Sequence, residues 1–198
     1  MELGPVVKET LWNKNIISIL RQTFLAVMIS ASISMIGGIS LTAVQDKLIL
    51  LLPLLIIIPG LNSMMGGFVD VIASKFTTML YLGEFKEDKW WKSDNFKKLF
   101  NKIMVTAFVS SLYLAIFSFA VAILKGFRFE PKLFIEICGM VVITTLIVLI
   151  MMLFLSIALG LFVYHRKQDP DNYLIAIMTS VSDVVTIVFL SLMLHFFF

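Results

Sequence analysis

Residues 132–164 read KLFIEICGMVVITTLIVLIMMLFLSIALGLFVY, and after Glu136 no charged side chain interrupts them. As a helix this run would extend about 50 Å, with no polar face to turn toward water. Such a run fits a bilayer, whose hydrocarbon core is about 30 Å thick and is crossed by about 20 apolar residues in a helix. It does not fit a membrane β-strand, which alternates apolar and polar residues over about ten positions. Composition points the same way. The chain is 60% hydrophobic and 15% charged, whereas soluble domains are roughly 45–50% apolar and 25% charged. Its mean hydropathy is +0.99.

Five apolar runs are expected to span the membrane: 16–44, 47–83, 99–124, 132–164 and 172–197. The fold class is therefore an all-α membrane protein with five transmembrane helices. The chain reads as one domain over 1–198, since no Gly/Ser-rich or Pro-rich linker divides it. The polar, acid-bearing start does not match a cleavable signal peptide. Cys138, the single cysteine, lies in an apolar run and reads as a packing residue. Glu136, soon after Pro131, is expected in the first turn of the fourth span, where an acid suits the helix dipole.

The second run is too long. Residues 47–83 would extend about 55 Å as one helix. Its middle, PGLNSMMGG, holds Pro59, Gly60, Gly66 and Gly67. Proline removes a backbone donor and glycine loosens the helix, so a kink or break is expected at Pro59-Gly60 or Gly66-Gly67. Residues 84–98, with Trp90, Trp91, Phe96 and several lysines, read as an amphipathic segment in the membrane interface.

Lysine and arginine set the orientation. With five spans, the N-terminus and the loops around 84–98 and 165–169 share one side, and they hold most of the cations. The other side has Lys47, Lys125, Arg128 and Lys132. The positive-inside rule then places the N-terminus in the cytoplasm and the C-terminus outside a cell membrane. The net charge of +3 is a topology effect, and the partner it implies is the lipid bilayer. No nucleic-acid footprint is present.

Two spans carry polar stripes. In the fifth, Thr179, Ser182, Asp183 and Thr186 follow helical spacing on one face, and Asp183 lies about 17 Å into the span. In the second, Ser63, Gly66, Gly67, Asp70, Ser74 and Thr77 do the same, with Asn62 at the expected break. Hydroxyls often only join helices. Carboxylates inside a membrane are costly and mark ion paths, proton relays or counter-ions. Lys75 is expected to snorkel to the interface. Carboxylate, amide and hydroxyl oxygens are hard ligands suited to Mg²⁺, Ca²⁺, Mn²⁺ or Na⁺. His165 and His195 have no ligand partner in sequence, which argues against a zinc or copper site. No nucleotide-binding, metalloprotease or hydrolase motif appears, so an enzyme is the weakest reading. The candidate metal residues are Asp183, Asp70, Asn62, Thr179, Ser182, Thr186 and Ser63.

PGLNSMMGGFVDVIASKFTTMLYLG (59–83) resembles the second-span motif of MgtE-type magnesium transporters, closest to the archaeal members and the related eukaryotic solute-carrier transporters. DPDNYLIAIMTSVSDVVTIVFL (169–190) resembles their last-span motif. The resemblance implies a homodimer with its pore on the symmetry axis, lined by the second and fifth spans of both copies. It places Asp183 at the family's pore aspartate and 72–78 on the family's second-span segment. It implies Mg²⁺ as the transported ion and no bound cofactor. Departures are Gly66-Gly67 where the family usually has Gly-Asn, the asparagine earlier at Asn62, and Asp70 one residue after a position often acidic. The family's cytosolic sensing domains are also missing from this sequence. A Na⁺- or H⁺-coupled Mg²⁺ exchanger and a non-transporting scaffold subunit stay open beside a divalent-cation channel or carrier.

Overall fold

A computed structural model describes residues 5–82, 94–165 and 170–197. Among these residues the structure is helices joined by short turns, without a strand. The helices are α1 (Pro5–Thr42), α2 (Gln45–Leu50), α3 (Leu52–Tyr81), α4 (Asp94–Leu124), α5 (Pro131–His165) and α6 (Pro170–Phe197). Four stretches are long and apolar enough to cross a membrane: Leu52–Tyr81, Asp94–Leu124, Pro131–Phe162 and Ile177–Phe197. Val27–Thr42 of α1 is a shorter apolar stretch. The protein is an all-α, multi-pass membrane protein. The expected interfacial segment 84–98 lies outside the described residues up to 93, and its last residues open α4.

The second run does divide, but not where the glycines predicted. Helix α3 continues unbroken through Pro59, Gly60, Gly66 and Gly67. The break is at Leu51, which closes α2 by donating its N–H to the Lys47 carbonyl at 3.1 Å. Its own carbonyl then accepts the Leu54 N–H at 2.8 Å and so opens α3. Pro53 explains the position. In a first turn proline's missing donor costs nothing, because that N–H has no intrahelical partner anyway. At Pro59 the helix loses one donor and continues all the same, a loss that spanning helices tolerate.

Helices α4 and α5 form a tight hairpin. Gly126, at φ 90°, donates to the Ile123 carbonyl at 2.9 Å, and Phe127 donates to Ala122 at 3.0 Å. These paired bonds close the end of α4 with a left-handed glycine. Pro131 starts α5. Phe119 meets Phe134 edge-on at 5.0 Å between ring centres, with Phe129 at 5.8 Å from Phe134. Glu136 falls in the second turn of α5 rather than the first, so the expected role at the helix dipole does not hold. It lies 3.7 Å from exposed Lys132 instead, a pairing of small energetic weight.

Helices α3, α4 and α5 pack on one another, α6 packs on α3 and α5, and α1 packs on α6. Lipid weakens the hydrophobic drive between helices, so close packing at small residues must hold such a bundle. Gly60 lies under Leu114 of α4, Gly160 under Phe76 of α3, Gly66 against Thr179 and Gly37 against Val184. Contacts of α1 with α6 advance in the same direction along both chains: Ser34 with Asp183, Gly37 with Val184, Ser40 with Ser191. The two helices therefore run parallel.

Candidate functional site

Asp183 lies midway along α6, six residues inside the apolar stretch that begins at Ile177. It is half-buried. The Ser34 hydroxyl of α1 donates to its Oδ2 at 3.5 Å. One helical turn earlier, Thr179 faces α3. Its methyl is the atom nearest a Cβ built at Gly66, at 3.4 Å. Its hydroxyl lies 2.7 Å from the Ile175 carbonyl and 3.3 Å from Asp70 Oδ1. A hydroxyl has one proton, so it donates to one of these at a time. The shorter contact within α6 is the better bond, which leaves the Asp70 carboxylate weakly held and exposed.

The structure splits the α3 stripe between two sides. Ser63, Gly67, Asp70 and Ser74 are exposed, Asn62 is half-buried, and Gly66 and Thr77 are buried. Lys75 is exposed as well. The α6 stripe also divides. Thr179 and Asp183 are half-buried, while Ser182 and Thr186 are buried to 0% and 1% exposure and their hydroxyls find no partner. Asp70 and Thr179 are thus brought together across the α3–α6 contact, and Asp183 sits one turn away beside α1. Ser182 and Thr186 turn inward.

Sequence reasoning missed Ser34. Its signal was present as small residues at helical spacing in the first span, Ser30, Ser34 and Gly37. It also missed Thr144, Thr145 and Ser156 of α5, buried hydroxyls without a partner. Among the described residues, no three of His, Cys, Asp and Glu gather as a metal centre. An open groove of ≈ 450 Å³ between α4 and α5, lined by Phe108, Leu112, Phe134 and Cys138 among others, is apolar. It offers no oxygen ligands to a cation.

A bundle of long apolar helices, with Asp70 and Asp183 set inside two stretches long enough to cross a membrane, defines a class, a multi-pass helical membrane protein. The family model MgtE, divalent cation transporter, matches residues 58–193, more than half of the chain, and the chain belongs to that family. Its general activity is therefore divalent-cation transport. No curated protein and no solved structure matches it. The matched stretch begins inside α3 and ends inside α6, so α1 lies outside it.

Proposed function

We propose that the protein moves hydrated Mg²⁺ across a cell membrane along a path lined by α3 and α6, completed by a second copy of the chain. One observation carries this reading. Asp70, with Ser63, Gly67 and Ser74, is exposed on the surface of a membrane-crossing helix. Hydrocarbon does not accept a carboxylate at that depth without a cost of several kcal/mol. A partner's polar face and a water-filled path between the copies would remove that cost. The oxygens on this face are hard, and Mg²⁺ gives up its water reluctantly. The carboxylates therefore act as acceptors for water bound to the ion. Asp183 on the same helix face as Thr179 extends the path by one turn, and Asn62, Ser182 and Thr186 add polar atoms near it. The parallel run of α1 and α6 supports α1 as a fifth span, and with five spans the distribution of lysine and arginine favours a cytoplasmic N-terminus.

The test is Mg²⁺ uptake into liposomes holding the purified protein and a trapped indicator, with no Na⁺ or pH gradient. Wild type should conduct, and Asp70→Asn should conduct much less. If uptake appears only when a Na⁺ or proton gradient is imposed, the protein is a coupled exchanger. Equal uptake by both forms removes Asp70 from the path.

A further inference from the structure

We infer that α1 forms a third wall of the cation path, with Ser34 as a positioning residue for Asp183. The inference rests on the path proposed above. It begins with one contact between elements far apart in sequence, the Ser34 hydroxyl on Asp183 Oδ2 at 3.5 Å. That length is long for an O–H···O bond, so the packing around it matters. In the described apolar part of α1, Ser30, Ile33, Ser34, Ser40 and Leu41 are half-buried, Gly37 is buried, and the residues between them are exposed. These positions form the stripe that faces α6. A Cβ at Gly37 would lie 3.3 Å from the Cα of Val184, the residue next to Asp183. Two turns on, Ser191 donates to the Ser40 carbonyl at 3.3 Å. The docking of α1 thus brings its small residues to Asp183 and the turns that follow it.

The chemistry follows from the lone pairs. An ionised carboxylate only accepts hydrogen bonds. Oδ2 receives the Ser34 proton, which leaves Oδ1 to accept from water on a passing cation. The hydroxyl restrains the carboxylate before the ion arrives, so less ordering is required on binding. Because α1 packs on α6, displacement of α1 would act on the path through this contact. Residues 58–193, which match the family, do not include α1, so this wall is an addition to the matched region.

The experiment uses the full chain in liposomes and measures Mg²⁺ uptake against external Mg²⁺ for wild type, Ser34→Ala, Ser34→Thr and Asp183→Asn. Ser34→Ala should raise the half-saturating concentration about 2- to 10-fold, the worth of one net hydrogen bond, with maximal flux near wild type. Ser34→Thr keeps the hydroxyl and should restore the wild-type curve. Asp183→Asn should be nearly silent. A wild-type curve for Ser34→Ala beside a silent Asp183→Asn overturns the role of Ser34 and leaves the path standing. Equal losses in the Ala and Thr forms, with less folded protein on size exclusion, reduce Ser34 to a packing residue and also overturn it. Normal uptake by Asp183→Asn overturns the path and the inference together.

Discussion

Thr179 is a residue whose two halves do different work, and they can be separated. Its methyl packs against Gly66, and its hydroxyl reaches the Ile175 carbonyl and Asp70. Thr179→Val keeps the shape and removes the hydroxyl. If the proposed path is right, the protein should fold normally while Mg²⁺ uptake falls about 2- to 10-fold through loss of one polar contact. Thr179→Ala removes the packing as well and should melt lower than Thr179→Val in detergent. A valine form with full uptake would mean the hydroxyl only joins helices. Asp183 and Asp70 stand out as candidates at this scale because a carboxylate in an apolar run has few harmless explanations. Ser34 does not, because Ser30, Ser32 and Ser34 stand close together in one span. Docking of α1 on α6 decides which serine faces Asp183, and a single helix does not encode that docking.

Among the elements, glycines mark where helices touch, and their neighbours decide what a methyl group would cost. A Cβ at Gly160 would overlap the ring of Phe76, which is 3% exposed and held in the seam between α3 and α5. A Cβ at Gly60 would approach the Leu114 Cδ1 at 2.7 Å, the far end of a flexible side chain that can turn aside. Overpacking a fixed site costs about 1–3 kcal/mol. Gly160→Ala should therefore melt clearly below Gly60→Ala in a thermal scan, although both make the same chemical change. Equal melting points would mean the α3–α5 seam is looser than the packing of Phe76 indicates. The helices were legible from apolarity, and their ends fell close to the expected bounds for α4, α5 and α6. The second run holds two prolines, and its break falls just before Pro53 while the helix carries on through Pro59. A proline starts a helix as readily as it interrupts one, and only the register of the preceding turn distinguishes the two.

Across the whole molecule, the polar side of α3 has to be covered by something. Ser63, Gly67, Asp70 and Ser74 face outward from the protomer, on a helix that crosses the membrane. The sequence showed that these residues share a helix, but an amphipathic stripe does not say whether its cover is another helix of the chain or a second copy. Folding narrows the choice, since α4, α5 and α6 pack on α3 and still leave this side open. A symmetric dimer would place the same face of each copy opposite the other. The Ser74→Cys variant, in a Cys138→Ala background, should then be joined to its counterpart by a short bis-maleimide in native membranes, giving a band of twice the mass. Val105→Cys, at a position 64% exposed on α4, should not. The link through position 74 should also fade when Gly67→Leu is added, because a Cβ at Gly67 meets no atom within 4 Å among the described residues and the added bulk on this open side would crowd a facing copy. Links at both positions, or at neither, would mean that the open side of α3 is not an interface between two copies, and the carboxylate at Asp70 would then need a different cover.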